Sequence, residues 1–138
     1  MSSRAYVVAC SWILLALVAA HDVTHLADDG LQATPGQLAV VAIPQWLVLG
    51  AVMAIVLRGD PAQSRAAALV LGLSVTAGFA VVHFLPFSPA AFWDQRPSPV
   101  SWTLAWAAAV AGVLLAIIAW PRRAGVSRPG GGGGPSPR

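Results

Sequence analysis

Long apolar stretches alternate along the chain with short segments that are rich in polar residues. The four apolar stretches cover residues 5–20, 38–57, 66–85 and 100–120. The last three are each about 20 residues long, the length of helix that crosses a hydrocarbon core of about 30 Å. The first is shorter, but its helix can continue to about Asp28, close to Gly30, a residue type that commonly ends helices. The pattern therefore predicts an all-α, four-transmembrane-helix bundle with spans at about residues 5–28, 35–57, 61–85 and 99–120.

The polar segments carry signals for the starts of helices. Asp60-Pro61-Ala62-Gln63 offers an N-cap, a proline at the first helical position and a glutamine that can complete a capping box. Thr34-Pro35-Gly36-Gln37 repeats this arrangement, and Ser98-Pro99 begins the last stretch in a similar way. These starts agree with the predicted spans.

Small residues recur on one face of the third and fourth spans. They are Ala68, Gly72, Thr76 and Ala80 in the third, and Ala105, Ala109, Gly112 and Ala116 in the fourth. Such spacing lets helix backbones approach closely in lipid, so we expect these two spans to pack together. We expect Leu71 and Leu114 to face lipid instead. In the second span, Pro44 predicts a kink and Gln45 is expected to face another helix.

The composition is that of a membrane protein. Hydrophobic residues make up 57% of the 138 residues and charged residues only 9%, whereas an ordinary soluble domain has roughly a quarter charged residues. Residues 1–120 are predicted to form the transmembrane domain. Residues 121–138 are dominated by Gly, Pro and Arg and are predicted to be a disordered cytoplasmic tail. The single cysteine, Cys10, excludes an intrachain disulfide.

The arginines indicate the topology. Seven of the eight fall before the first span, between the second and third, or after the fourth: Arg4, Arg58, Arg65, Arg122, Arg123, Arg128 and Arg138. The positive-inside rule then places both termini in the cytoplasm, as expected of a multi-pass protein of the cytoplasmic membrane. The basic isoelectric point, about 10.5, follows from this distribution, so no nucleic-acid partner is expected. The expected partners are the lipid bilayer and either a larger membrane complex or further copies of the chain.

Histidines and aspartates are concentrated where the first span ends, in the segment HDVTHLADDG of residues 21–30. On a helix, His21, His25 and Asp28 fall within an arc of about 60°. His83, near the end of the third span, is expected to reach the same leaflet. Histidines one turn apart can share a metal ion, and a third histidine with an aspartate completes a Zn or Cu site.

The predicted site therefore has four ligands and two supporting carboxylates. The ligands are His21, His25, His83 and Asp28, and the supporting residues that hydrogen-bond them are Asp22 and Asp29.

Three other interpretations of this cluster are open. It can hold a haem between a histidine of the first span and His83, it can relay protons, or it can simply mark the water boundary at a helix end. The glutamate of the zinc-protease motif is missing, and no nucleophile with an adjacent base is visible. The sequence thus favours a non-catalytic accessory or binding component over an enzyme, a redox or haem carrier, or a proton-coupled transporter subunit.

A different interpretation of the N-terminus is a signal peptide. Arg4, a short apolar run and the small residues Val18-Ala19-Ala20 fit a cleavable segment, and cleavage would leave His21 as the N-terminus. The continued helical pattern beyond residue 20 favours a membrane anchor.

The run Ala80-Val81-Val82-His83-Phe84-Leu85-Pro86, followed by Val100-Ser101-Trp102 and taken with the HD..H..DD boundary, resembles small uncharacterised four-span membrane proteins of high-GC Gram-positive bacteria. This resemblance implies a membrane location and no particular activity. The small multidrug exporters are of similar size, but they require a glutamate in the first span, and this chain has none.

Overall fold

Residues 3–27, 35–85 and 98–121 are described by a computed structural model, and they contain helices and no strand. The helices are α1 (Ser3–Ala27), α2 (Pro35–Arg58), α3 (Pro61–Phe79) and α4 (Pro99–Ala119). A π-helical segment, Ala80–Phe84, continues α3 directly. The predicted all-α architecture is confirmed for these residues.

Three of these helices are long and apolar enough to cross a membrane. They are Ser3–His25, Pro61–Phe84 and Pro99–Ala119. The apolar part of α2, Ala42–Arg58, is shorter. The fold thus supports a membrane bundle, and the second span stays a prediction from the sequence pattern. The predicted tail lies outside the described residues except for Pro121.

Local capping chemistry defines where α3 and α4 begin. The Asp60 side chain accepts hydrogen bonds from the backbone N–H groups of Ala62 and Gln63, at 2.8 and 2.9 Å, and Gln63 accepts one from the Asp60 N–H at 3.2 Å. At the other cap, Ser98 Oγ accepts from the Ser101 N–H at 3.2 Å. Both predicted caps are confirmed, whereas the predicted cap residue of α2, Thr34, lies outside the described residues.

Helices α3 and α4 pack at very short range through their glycines. A Cβ atom built on Gly72 would lie 2.5 Å from the Gly112 carbonyl oxygen, and one on Gly112 would lie 2.7 Å from the Gly72 carbonyl oxygen. Thr76 Oγ1 of α3 also donates a hydrogen bond to the Ala109 carbonyl oxygen of α4 at 3.1 Å. The predicted small-residue contact between the third and fourth spans is therefore confirmed.

The two leucines expected to face lipid, Leu71 and Leu114, differ in the exposure of their side chains. Leu114 is 54% exposed, as predicted, but the prediction for Leu71 was wrong, because its side chain is only 1% exposed. Leu71 belongs to the bundle core, which also contains Leu14 and Leu115. The face of α3 that contacts other helices is wider than its stripe of small residues because α1 and α2 also pack against α3.

The two ends of the bundle differ in chemistry. At one end, Arg4 donates to the carbonyl oxygens of Leu57 and Gly59 at 2.8 and 3.0 Å, and Arg65 donates to Ser3 Oγ at 3.0 Å. The starts of α1 and α3 therefore lie together at this end. The histidines lie near the opposite ends of these same two helices, so the fold separates a basic end from a histidine end.

Candidate metal centre

Three histidine side chains converge at one end of the bundle. His21 and His25 lie one turn apart on α1, and His83 comes from the π-helical segment after α3. His21 Nε2 is 2.9 Å from His25 Nε2 and 3.3 Å from His83 Nε2. One ring nitrogen from each histidine lies within 4.8 Å of the other two. The convergence expected from the sequence is present in the fold.

The orientation of His21 is fixed by a backbone group of α4. Its Nδ1 atom lies 3.2 Å from the carbonyl oxygen of Ser101. Because a carbonyl oxygen only accepts hydrogen bonds, Nδ1 carries the proton of this contact. In the neutral ring the lone pair is then on Nε2, the atom that points to the other two histidines.

The histidines differ in their exposure. His21 is 1% exposed and His83 is 7% exposed, whereas His25 is half-buried. Phe79 packs against the two buried rings, with ring centroids 4.9 Å from His21 and 5.5 Å from His83. The cluster is therefore closed towards the middle of the bundle, and His25 lies one turn nearer its end.

The π-helical segment positions His83. The Leu85 N–H donates to the Ala80 carbonyl oxygen at 3.0 Å, a bond that spans five residues instead of four. The wider turn changes the direction in which the side chains after Phe79 project from the helix. Such single π turns often occur at functional sites. No signal in the sequence marks this segment, since no proline or glycine lies between residues 79 and 85.

The Asp22 carboxylate faces α2 and joins it to α1. Asp22 Oδ2 accepts hydrogen bonds from Trp46 Nε1 at 2.9 Å and from Gln45 Nε2 at 3.2 Å. The prediction that Gln45 faces another helix is confirmed, and Pro44 lies within α2 without ending it. The hydrogen bond from Trp46 to Asp22 was not predicted from the sequence, although a buried indole N–H usually has an acceptor.

Two of the predicted site residues, Asp28 and Asp29, lie outside the described residues. The ligand role of Asp28 and the supporting roles of Asp22 and Asp29 stay predictions.

Removing the Asp22 carboxylate is expected to destabilise the bundle. In Asp22→Ala the Gln45 amide and the Trp46 indole N–H lose their acceptor in a half-buried position, at a cost of about 1–3 kcal/mol. Thermal unfolding in mild detergent measures this loss. Val23→Ala, at an exposed neighbouring position of the same helix, is the matched control. If both variants unfold alike, the Asp22 contacts contribute nothing to stability.

The spacing of the histidine nitrogens suits a metal ion. At metal–nitrogen distances of about 2.0–2.1 Å, tetrahedral geometry places two imidazole nitrogens about 3.3 Å apart. The Nε2–Nε2 distances from His21 to His25 and to His83, 2.9 and 3.3 Å, lie within a few tenths of an ångström of that value. Two of the three separations therefore already suit a shared ion, and one nitrogen of each histidine lies within 4.8 Å of the other two.

The chain has no match among the protein-family models, the curated proteins or the solved structures with which it was compared. Its functional interpretation therefore depends on the geometry of the three histidines.

Proposed function

We propose that the protein is an integral protein of the cytoplasmic membrane that binds one transition-metal ion at the outer face through His21, His25 and His83. The observation that carries this proposal is the approach of the His25 and His83 Nε2 atoms to one atom, Nε2 of His21. A single lone pair on that atom accepts one hydrogen bond well, whereas one metal ion satisfies three imidazoles together.

Zn²⁺ or Cu²⁺ is the ion that this ligand set favours. Imidazole nitrogens suit Zn, Cu, Fe and Ni, and a thiolate would shift the preference towards softer ions. The sole cysteine, Cys10, lies three turns before His21 on α1, so it is too far along the helix to be a ligand.

A haem fits this arrangement poorly. Two axial imidazole nitrogens lie on opposite sides of the iron, about 4 Å apart at about 2 Å each, and the macrocycle must pass between them. Here the Nε2 atoms of His21 and His83 are 3.3 Å apart, and the His25 ring is stacked on the His83 ring at a centroid distance of 5.6 Å. Simple binding of an ion agrees better with this packing.

A four-span topology with cytoplasmic termini is part of the proposal. The basic end of the bundle contains Arg4 and Arg65, which the positive-inside rule assigns to the cytoplasm. The histidine end then faces outward. The role that follows is a non-catalytic binding or accessory component in the lipid bilayer, either within a larger membrane complex or as a homo-oligomer.

Cysteine labelling in intact cells tests this topology. In a Cys10→Ser background, single cysteines at Gln32 and Gln95 are expected to react with a membrane-impermeant maleimide. Cysteines at Gln63 and Gly131 are expected to react only after permeabilisation, since the arginine-rich segments lie inside. An external Gly131 would overturn the arrangement. The mass of the purified chain tests signal cleavage separately.

Metal titration tests the binding itself. The chain is purified in mild detergent with a tag that contains no histidine, stripped with a chelator and titrated with Zn²⁺ or Cu²⁺ by calorimetry. We expect one ion per chain, and weaker binding as the pH is lowered, because protons and metal compete for the same imidazole lone pairs. Asp60→Asn, at the opposite end of the bundle, is the matched control and should bind like the parent chain. The absence of stoichiometric binding, or unchanged binding in His83→Gln, would refute the proposal.

A further inference from the structure

Three arginines that are far apart in the sequence meet at the basic end of the bundle. Arg4 donates hydrogen bonds to the backbone carbonyl oxygens of the two residues that flank Arg58, at 2.8 and 3.0 Å. Arg65 donates to Ser3 Oγ at 3.0 Å, and Ser3 directly precedes Arg4 in α1. The fold therefore gathers Arg4, Arg58 and Arg65 into one group, which we call the arginine cluster.

The charge of the arginine cluster is not balanced by carboxylates of the described residues. At this end they include one aspartate, Asp60, whose Oδ1 atom accepts hydrogen bonds from backbone N–H groups of α3. The partners of Arg4 and Arg65 are neutral oxygen atoms, which leave the positive charge in place. Residues 1–2 and 122–138 contain four further arginines and no aspartate or glutamate. The excess of positive charge therefore favours an anion from outside the chain.

The chemistry of the cluster suits a phosphate group. A guanidinium group presents its N–H donors as a planar fork that matches two oxygen atoms of a phosphate. The hydrogen bonds of Arg4 and Arg65 given above use Nη2, which leaves the donors on Nε and Nη1 for an anion. These bonds also hold the two side chains in place, so less conformational entropy is lost when an anion binds.

The position of the cluster favours the phosphate of a lipid over a free phosphate ion. The apolar segments Ser3–His25 and Pro61–Phe84 both begin beside it. Tyr6 and Leu57, which lie next to the cluster along α1 and α2, are 52% and 41% exposed. A phospholipid can contact both the arginines and this apolar surface, whereas inorganic phosphate can use only the charge.

We infer that the arginine cluster binds the phosphate group of an anionic phospholipid of the inner leaflet. Arg4 and Arg65 donate hydrogen bonds to the phosphate oxygens, and Arg58 adds positive charge beside them. This inference rests on the proposed membrane location and topology, and it is independent of the metal site at the opposite end of the bundle.

Native mass spectrometry of the metal-free chain in mild detergent tests the inference. Phosphatidylglycerol and phosphatidylcholine with identical acyl chains are titrated in turn, and the apparent affinity of the first bound lipid is measured. We expect the parent chain to prefer phosphatidylglycerol. Arg65→Gln and Arg58→Gln should each lower this preference by about fivefold, the effect of one basic residue near an anionic lipid surface. Arg96→Gln removes the same charge from the segment before α4 and is the matched control, which should keep the preference.

The alternative outcomes separate this inference from the proposed function. Thermal unfolding first shows that each variant is folded, and Arg58→Gln changes an exposed side chain. Equal binding of the two lipids by the parent chain, or an unchanged preference in either cluster variant, would overturn the lipid site and leave the metal site standing. Displacement of phosphatidylglycerol by inorganic phosphate would overturn the lipid as the ligand and assign a free anion instead. A chain that stays in solution without detergent would overturn the membrane location, and with it both proposals.

Discussion

Gly112→Leu is expected to destabilise the bundle by about 3 kcal/mol or more, because the new side chain must enter a backbone-to-backbone contact. Even a Cβ atom at this position would overlap Thr76 Oγ1 and lie 2.7 Å from the Gly72 carbonyl oxygen. Backbone atoms of two packed helices cannot move aside as a flexible side chain can. The helices must separate, and in lipid no hydrophobic attraction replaces the dispersion energy of their close packing. Denaturant titration in mixed micelles, followed by tryptophan fluorescence, measures the destabilisation.

Gly78→Leu is the matched control for this prediction. Gly78 lies on α3, and a Cβ atom there would have no neighbour within 4 Å. Because leucine has the higher helix propensity, this substitution should be neutral or slightly stabilising. Leu114→Ala, at an exposed position, should also have a small effect. If Gly78→Leu destabilises the bundle as much as Gly112→Leu, the close crossing is not a source of stability.

The features that could be predicted from the sequence are those that depend on the spacing of residues close together along the chain. The capping box of Asp60 and Gln63 depends on residues three positions apart, and the glycine crossing depends on small residues three or four positions apart within each helix. The lengths of the apolar stretches predicted the helices, because each stretch is continuous in the sequence. Each of these signals is contained in one short stretch of chain, so no knowledge of the fold is needed to recognise it.

The site was only partly predictable because it depends on contacts between helices. Sequence spacing brings His21 and His25 to one face, and the antiparallel order of spans brings His83 to the same end. The carbonyl oxygen of Ser101 cannot be foreseen as the partner of His21, since every residue has a carbonyl group. The pairing of Trp46 with Asp22 and the burial of Leu71 likewise depend on how the helices are rotated against one another.

The three histidines are expected to act as a unit in metal binding. His21→Ala should lower the affinity for Zn²⁺ by at least about 100-fold, since even residues that only support a metal ligand contribute about 10- to 100-fold. His21 Nε2 is the atom that both other histidines approach, and His83 is buried beside it. His83→Ala should therefore have an effect of similar size. The half-buried His25 should contribute less, because external solvent can replace it more easily.

The double variant His21→Ala, His83→Ala tests whether these two histidines bind the same ion. If His21 and His83 hold the same ion, replacing both should reduce Zn²⁺ affinity little more than the worse single substitution, because a site without one essential ligand has little binding affinity left to lose. Competition with a chromophoric chelator extends the titration to the weak variants. Thermal unfolding of the metal-free chains shows whether each variant still folds. If the cluster serves only as a polar boundary at a helix end, the substitutions will leave metal content unchanged and produce small, additive decreases in stability, and that result would remove the site from consideration.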